Sequence, residues 1–248
     1  MTRLPLLDNT DIPLVLLGGT LCDAALWQPV LQRLNLTATM CITPCGADSA
    51  PETAQRLLRA LPPRFRLAGF SLGAIVALQM VADAPQRLDG VALLSVNPLA
   101  DAPENADSRR EAVRQAQAQG IGAWLTHHLW PRYVAPHRLD NASLHHTIIS
   151  MAQNFTPEAF ARQTEIAITR RDNRAALASF AGPILMMNGA ADVICTPRHH
   201  QALQECVPRA RWLTVNHSGH FLPLEAPDEV ARALHQWLTE SPSCETTV

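Results

Sequence analysis

The chain has 248 residues, of which 47% are hydrophobic and 17% are charged, and its formal net charge is −2. This balance excludes a disordered chain, a basic nucleic-acid surface and a polybasic membrane patch, and it suits one large α/β domain with a small-molecule partner. All 20 basic residues are arginine, which excludes chemistry that needs a lysine, such as a pyridoxal-phosphate Schiff base.

Six short apolar runs are predicted to form β-strands, and helical patterns fill the intervals between them. This alternation is typical of a parallel sheet that is covered by helices on both faces. The runs lack a regular apolar–polar alternation, which indicates strands that are buried on both faces. The predicted strands span residues 13–18, 38–43, 65–70, 90–97, 183–189 and 211–216.

The helices predicted between these strands have sensible punctuation, with prolines at several of their ends. They span about 24–34, 50–61, 72–84, 197–206 and 228–239.

The interval 100–181 interrupts the alternation, because it contains helical segments but no convincing strand. We therefore predict a core domain of residues 1–99 and 182–248, with a helical cap inserted at 100–181. Within the cap, one helix should end at Gly120 and a second should stop at Pro131. A third should begin with Thr156-Pro157 as its N-cap and first helical residue.

The six cysteines are scattered rather than spaced as a disulfide framework or a zinc site. With no signal peptide and no apolar run of membrane-spanning length, the sequence predicts reduced thiols and a cytoplasmic location. It also predicts no metal, no cofactor, no membrane partner, and a monomer or a homodimer. The cysteines are Cys22, Cys41, Cys45, Cys195, Cys206 and Cys244.

The stretch Gly69-Phe70-Ser71-Leu72-Gly73 lies where a predicted strand meets a predicted helix. A nucleophile elbow needs glycine on both sides of the serine, because a Cβ there would strike the neighbouring strand or helix. Such a turn exposes the serine Oγ above the sheet and leaves the Leu72 N–H free at the start of the helix. The alternative is a serine that only caps the helix, and the strand before it and the helix after it favour the nucleophile.

A serine nucleophile requires a base, and the base requires a carboxylate that orients it. Asp192 directly follows a predicted strand, and His217 and His220 follow the last one. The chain order Ser, Asp, His differs from that of the chymotrypsin and subtilisin types. We favour His220 over His217, because a Ser-Gly pair before it and an apolar turn after it can anchor it. We favour Asp192 over Asp101.

Acyl transfer passes through an oxyanion that needs two N–H donors. Leu72 can supply one of them. The second is expected from the loop after the first strand, where Gly18-Gly19 allow close approach and either Thr20 or Leu21 presents its amide. A plain Gly-Gly turn is the alternative interpretation of this loop.

With these pieces in place, the sequence resembles the small-esterase branch of the α/β-hydrolase superfamily along nearly its whole length. That branch includes pimeloyl methyl ester esterases and 3-oxoadipate enol-lactonases. The resemblance implies that Ser71 is the nucleophile, Asp192 the acid and His220 the base, with the Thr20 and Leu72 amides as oxyanion donors. The matching blocks are LVLLGGTLCDAALW, LAGFSLGAIVALQMVADAPQRLDGVALLSVNP, NGAADVICTP and NHSGHFLPLEAPDEV.

The sequence departs from the family pattern at two points. Gly18 stands where the family commonly carries a histidine, so we expect the oxyanion loop to lack one hydrogen bond and to be looser. The first core strand is reached by residue 13, so we expect the usual N-terminal strand pair to be shortened or missing. The sheet should have about six strands.

These features predict a serine hydrolase that cleaves a carboxylic ester, lactone or thioester of a small to medium acyl substrate through an acyl-enzyme. The same triad can also serve acyl transfer, C–C bond hydrolysis or lactone opening. A non-catalytic, ligand-binding hydrolase scaffold is the alternative from a different class of protein.

The cap should decide the substrate, but its aromatic, histidine and arginine side chains each have a plainer interpretation. Five aromatics can line an acyl pocket, although packing is favoured, and two adjacent histidine pairs are interpreted as solvated. By resemblance to the pimeloyl-ester branch, the arginines can receive an acidic acyl carrier protein, although a solvated face is favoured. These residues are Trp124, Trp130, Tyr133, Phe155, Phe160; His127, His128, His145, His146; Arg109, Arg110, Arg114, Arg132, Arg138, Arg170, Arg171 and Arg174.

Overall fold

The protein is built around one six-stranded sheet in which every neighbouring pair of strands is parallel. The computed structural model describes residues 3–240; Cys244 lies outside the described residues. The strands are β1 (Leu14–Leu17), β2 (Thr39–Ile42), β3 (Phe65–Phe70), β4 (Leu88–Leu94), β5 (Ile184–Gly189) and β6 (Arg211–Val215). Their order across the sheet is β2-β1-β3-β4-β5-β6, which confirms the predicted α/β class and strand number.

The largest error in the predicted strands concerns β4, which begins at Leu88 and ends at Leu94 rather than spanning 90–97. The strand ends early because Ser95 adopts a φ of 48°. This left-handed conformation turns the chain out of the sheet.

Helices cover both faces of the sheet, and their bounds follow the prediction closely in the core. They are α1 (Gln28–Leu31), α2 (Ala50–Ala60), α3 (Leu72–Asp83), α4 (Asn105–Gln119), α5 (Ile121–His128), α6 (Trp130–Tyr133), α7 (Ala142–Gln153), α8 (Pro157–Ile168), α9 (Arg174–Ala178), α10 (Pro197–Cys206), α11 (Leu222–Glu225) and α12 (Pro227–Leu238).

Two helix predictions were wrong, both near a proline. The helix predicted at 24–34 is a 3₁₀ turn, Ala24–Leu26, followed by the single turn α1. Pro29 lacks the N–H that would continue the first turn into the second. The helix expected to stop at Pro131 ends at His128, and Pro131 lies in the first turn of α6, where its missing N–H costs nothing. The Thr156 cap is confirmed, since its side chain accepts the Ala159 N–H.

The sheet separates two apolar cores, and alternate residues of β1 belong to different ones. Leu14 and Leu16 pack with α1 and α12 on one face, whereas Val15 and Leu17 pack with α2 and α3 on the other. Both faces of β1 are therefore buried, which explains why its sequence shows no polar alternation.

Helices α4 to α9 lie between β4 and β5 in the chain, within the interval predicted to form the cap. α4 packs against α8 and α5, and α5 packs against α7 and α6. The division into a core of 1–99 and 182–248 and a cap of 100–181 stays a prediction, as do the cytoplasmic location and the oligomeric state. Within residues 3–240, no helix has the length and apolar character needed to cross a bilayer.

Candidate active site

Ser71 lies on a strained turn between β3 and α3. Its φ is 52°, a conformation that costs a residue with a Cβ on the order of 1 kcal/mol or more. The Ser71 N–H donates to Leu94 O at 2.9 Å, and its carbonyl accepts the Ala74 N–H at 3.0 Å. Strand and helix are thus fastened on both sides of the turn, which holds the side chain above the end of the sheet.

The two glycines of the motif allow backbones to approach closely. A Cβ at Gly73 would overlap the carbonyl oxygen of Leu17 in β1, and one at Gly69 would overlap the backbone of Gly73 and Ala74. Neither glycine is needed for a positive φ, since the residue with that conformation is Ser71 itself. The predicted reason for the motif, a turn too tight for a Cβ, agrees with these contacts.

Ser71, His220 and Asp192 form one hydrogen-bonded chain, although they lie on three different loops. The His220 Nε2 is 3.0 Å from the Ser71 Oγ, and the His220 Nδ1 is 2.9 Å from the Asp192 Oδ2. In the neutral tautomer, Nδ1–H donates to Asp192 and Nε2 accepts the serine proton. The arrangement is possible because β3, β5 and β6 end at the same edge of a parallel sheet.

Asp192 is 2% exposed, and its second carboxylate oxygen is also satisfied. Oδ1 accepts the N–H groups of Ile194 and Cys195, each at 2.8 Å. Burial raises the pKa of Asp192, but the charge of His220 and these hydrogen bonds outweigh it, so the pKa is lowered overall. The residue is therefore a carboxylate at neutral pH.

The pKa of His220 moves in the opposite direction. Burial lowers it, but the neighbouring Asp192 charge and the hydrogen bond to Asp192 raise it above the ordinary value. A base with a raised pKa holds the transferred proton more firmly, and it is neutral only at a correspondingly higher pH.

The two alternatives weighed from the sequence lie in other surroundings. Asp101 is bound by Arg109 and Arg170 at 2.6 and 2.9 Å. His217 is exposed and has its ring 6.0 Å from that of His137.

Glu225, which the sequence reasoning missed, holds the histidine loop. Its buried carboxylate accepts the Gly219 N–H through both oxygens at 3.0 Å and the Ala135 N–H at 2.8 Å. Burial raises the pKa of this carboxyl, although the hydrogen bonds oppose the shift. The carboxyl group thereby joins the residue before His220 to the segment that follows α6.

Tyr133, the last residue of α6, makes a second connection to the loop that carries His220. Its carbonyl accepts the N–H groups of His220 and Phe221 at 3.0 and 3.1 Å, and its ring lies 6.0 Å from the imidazole, nearly parallel to it. Together with Glu225, this contact fixes the backbone on both sides of His220.

The predicted oxyanion donors, Thr20 and Leu72, border the same pocket as Ser71. Within residues 3–240, neither backbone N–H donates to another group, so both are available to a ligand. The N–H of Leu21, the alternative donor, is engaged at 2.9 Å by the Gln163 Oε1. Of the two donors left open by the sequence, Thr20 is therefore the free one.

Gln163 of α8 is the second residue that the sequence reasoning missed. Its side chain is fully buried, and its Nε2 donates to Pro44 O at 3.1 Å while its Oε1 holds Leu21. Leu21 has a φ of 56°, so the loop it anchors is itself strained. Gly18 supplies no side chain here, and a Cβ at that position would come within 3.0 Å of Cys22 O. The loop is anchored from helix α8 instead.

A pocket of about 420 Å³ opens in front of Ser71. Trp124, Tyr133 and Phe160 line it, so the packing interpretation does not describe these three aromatics fully; Trp130 and Phe155 lie outside the lining. The rest of the lining includes the apolar side chains of Phe70, Ile75, Leu129, Ile194 and Phe221 and the polar side chains of Asn97, Asn105 and Ser108.

The cap histidines do not form a shared site. His127, His128 and His146 are exposed, as expected, whereas His145 is half-buried with its ring edge-on to Trp130 at 4.8 Å.

A further group of potential ligand atoms consists of Asp192, His220 and the neighbouring thiol of Cys195. Atoms of Asp192, Cys195 and His220 lie within 4.8 Å of one another. Burial raises the pKa of Cys195, so the thiol is neutral at pH 7. Both Asp192 oxygens and both His220 nitrogens already have hydrogen-bond partners within the protein. This arrangement suits proton transfer between Ser71 and His220 rather than metal binding.

A family model described as the alpha/beta hydrolase fold matches residues 38–227 of the sequence. The chain belongs to the α/β-hydrolase fold family. The match includes Ser71, Asp192 and His220, and it confirms the resemblance inferred from the sequence motifs.

Among curated members of this family, the chain is similar to two proteins named pimeloyl-[acyl-carrier protein] methyl ester esterase. The one from Nitrosomonas europaea is 26% identical, with 87% of this chain and 91% of that protein covered. The one from Xanthomonas campestris pv. campestris is 27% identical, with 92% and 96% covered.

Solved structures show the same α/β-hydrolase fold at lower sequence identity. An esterase from Thermogutta terrifontis superposes with a TM-score of 0.78 at 21% identity, covering 96% of this chain and 90% of that one. An enol-lactonase from Burkholderia xenovorans also gives 0.78, at 19% identity and 92% coverage of both chains.

Proposed function

We propose that this α/β hydrolase cleaves a carboxylic ester through an acyl-enzyme, with Ser71 as nucleophile, His220 as base and Asp192 as the orienting carboxylate. The observation that carries the proposal is the hydrogen-bonded chain from Asp192 through His220 to Ser71, at 2.9 and 3.0 Å. The chain ends on a serine held at a φ of 52°. The similarity to methyl ester esterases supports the same reaction class.

In the proposed reaction, His220 takes the Ser71 proton as the Oγ attacks the ester carbonyl. The resulting oxyanion accepts hydrogen bonds from the Thr20 and Leu72 N–H groups, each worth roughly 3 kcal/mol of transition-state stabilisation. His220 then protonates the leaving alcohol, which leaves an acyl group on Ser71. Water then enters and gives a proton to His220 as its oxygen attacks the acyl carbonyl. His220 returns that proton to the Ser71 Oγ as the acid leaves, which restores the free enzyme. Asp192 keeps the imidazole in the productive tautomer throughout.

The pocket volume of about 420 Å³ lies toward the small end of the roughly 300–1,000 Å³ usual for ligand sites. We therefore propose a small to medium acyl group. The same site can accept a lactone or a thioester, because the attacked carbonyl and the oxyanion are equivalent in these substrates.

A second candidate is an ester carried on an acyl carrier protein, which is favoured by the similarity to the two pimeloyl-[acyl-carrier protein] methyl ester esterases. Purified acyl carrier protein should then bind the chain with an affinity that falls as salt rises, since the carrier is acidic. A carrier that shows no binding at low salt would exclude this candidate without affecting the ester hydrolase.

The experiment that tests the ester hydrolase is a panel of p-nitrophenyl esters of increasing chain length, with a lactone and an acyl-carrier methyl ester included. We expect turnover by the wild type and none above background by Ser71→Ala. The matched control is Ser108→Ala, since Ser108 lines the same pocket but lies in α4; it should keep most of the activity. Equal rates for wild type and Ser71→Ala would refute the proposal.

The same two proteins separate hydrolysis from the other candidates. Product analysis distinguishes ester cleavage from acyl transfer and C–C cleavage. A ligand that stabilises wild type and Ser71→Ala equally, without turnover, would identify a binding scaffold instead.

A further inference from the structure

The charge that lines the pocket is opposite in sign to the charge of the chain. Arg109, Arg132 and Arg170 line it, and no Asp or Glu among residues 3–240 does, whereas the chain carries a net charge of −2. A cleft lined by one sign of charge and low-dielectric walls concentrates ligands of the opposite sign. The positive charge of the pocket lining therefore does not follow from the overall composition of the chain.

All three guanidinium nitrogens of Arg170 have partners within the protein. Its Nε donates to Leu99 O at 2.8 Å, its Nη1 to Ala167 O at 2.9 Å, and its Nη2 lies 2.9 Å from the Asp101 Oδ1. The side chain is 5% exposed. Its role is therefore to hold Asp101 and the loop after β4, since each of its three guanidinium nitrogens already has a partner within the protein.

Arg109 has a donor to spare. Its Nε and Nη2 grip the two oxygens of Asp101 at 2.6 and 3.1 Å, while its Nη1 makes no hydrogen bond within the described part of the chain. One carboxylate is shared by two guanidinium groups, so this cluster retains one positive charge. The grip also fixes the side chain, which is 37% exposed, and a fixed fork loses little entropy when it binds an anion.

Arg132 is the least engaged of the three arginines. Within residues 3–240, its guanidinium makes no ion pair and no hydrogen bond, yet its backbone is well fixed. Trp130, in the same short helix, is buried and donates its Nε1–H to Leu139 O at 3.2 Å. Tyr133, the next residue, carries the carbonyl that binds the His220 N–H. An unpaired cation is thus attached to the backbone that supports the base.

Two arginines of the 100–181 interval that lie outside the pocket lining are paired with carboxylates. Arg110 pairs with Glu165 at 2.7 Å and Arg114 with Glu111 at 2.6 Å. Each of these two has a carboxylate partner that offsets its charge, unlike Arg132.

We propose that the substrate carries an anionic group in addition to the scissile ester, and that Arg132, with the free Nη1 of Arg109, binds that group. This inference rests on the proposed esterase function and narrows its substrate class to esters with a terminal carboxylate or phosphate. Both groups match the arginine fork, which forms short, charge-assisted hydrogen bonds with either. Binding would give an anionic partner to the exposed Arg132 guanidinium, which has none within the described residues.

The test uses three p-nitrophenyl esters with the same acyl chain, ending in a carboxylate, a carboxamide or a phosphonate. The carboxamide is the neutral isostere of the carboxylate. We expect the wild type to cleave the carboxylate or phosphonate ester with a kcat/KM about tenfold or more above that of the carboxamide ester, the effect of one charge-assisted hydrogen bond. The preference should fall as ionic strength rises. Whichever anion is preferred identifies the substrate type.

Arg132→Gln should abolish most of this preference, by lowering the kcat/KM for the anionic esters towards the value for the carboxamide ester. Arg109→Gln, which leaves Asp101 paired with Arg170, should reduce it in part. Arg110→Gln is the matched control, because Arg110 lies on the cap outside the pocket lining; it should keep the preference. The carboxamide ester also reports whether each variant is folded and active.

The results separate the two levels of the argument. Cleavage of the carboxamide ester without preference for either anion, or a preference that survives in Arg132→Gln, would overturn the anionic subsite and leave the esterase intact. Failure to cleave any of the three esters would refute the proposed function, and the subsite with it.

Discussion

Replacing Gln163 with leucine should lower the rate of the chemical step more than it weakens substrate binding. The side chain is fully buried, and it joins two loops by accepting the Leu21 N–H and donating to Pro44 O. Leucine keeps the approximate volume but leaves both backbone groups without a partner. Each buried, unsatisfied group costs about 1–3 kcal/mol. Leu21, at a φ of 56°, would then be free to relax.

The catalytic effect follows from the position of Thr20, directly before Leu21. Losing one oxyanion donor costs about 10²–10³ in kcat in comparable sites. The Thr20 N–H is displaced here rather than removed, so we expect kcat to fall about ten- to a hundredfold. KM should change little, because the oxyanion forms only in the transition state. For a chain of this size, a loss of about 2 kcal/mol should also lower Tm by roughly 4–8 °C.

The assay is steady-state hydrolysis of a p-nitrophenyl ester, together with thermal unfolding. Ile166→Val is the control, since Ile166 is fully buried in the same helix. This substitution should lower the free energy of unfolding by about 0.5–1.5 kcal/mol without altering the Leu21 loop. It should lower Tm and leave kcat unchanged. If Gln163→Leu keeps the wild-type kcat while its Tm falls, Gln163 does not position the oxyanion donor, and the reasoning is refuted.

Three further predictions concern the acid, the histidine loop and the elbow. Asp192→Asn should lower kcat/KM by about 10⁴. The residual activity of Asp192→Asn should rise with pH at a lower midpoint than that of the wild type, because the charge that raises the pKa of His220 is gone. Asp101→Asn should leave the midpoint in place. A shift in both variants would contradict the assignment of Asp192. Glu225→Gln should reduce kcat and Tm together, because the amide keeps only one acceptor oxygen, loses the charge and places its NH₂ against the Gly219 N–H. Unchanged kinetics would exclude a positioning role. Gly73→Ala should yield little folded protein, since its Cβ would overlap Leu17 O; a normal unfolding transition by circular dichroism would contradict this.

The parts of the site that the sequence predicted depend on local chain geometry. The glycines around Ser71 indicate a turn too tight for a Cβ. Asp192 and His220, the proposed acid and base, follow strands whose ends meet at one edge of a parallel sheet. The preference for His220 over His217 also rests on local sequence, namely the Ser-Gly pair before His220 and the apolar turn after it. Such features repeat wherever strand, turn and helix follow each other in this order, so a single sequence can carry them.

The supporting residues were missed because their contacts join distant parts of the chain. Gln163 meets Leu21 across 142 positions, and Glu225 meets Ala135 across 90. Nothing in the neighbourhood of either residue distinguishes it from an ordinary helix residue. The arginines of the cap were equally ambiguous, since only the folded structure separates Arg132, which lines the pocket, from Arg110, which is paired outside it.

The most direct measurement of the central claim, that Ser71 is the activated nucleophile, is labelling with a fluorophosphonate followed by mass mapping. Folded wild type should gain one phosphonyl adduct, located on the peptide that contains Ser71, and labelling should slow as pH falls and His220 becomes protonated. Ser71→Ala should gain none. An unlabelled Ser71 in folded wild-type protein, or equal labelling of wild type and Ser71→Ala, would contradict the account.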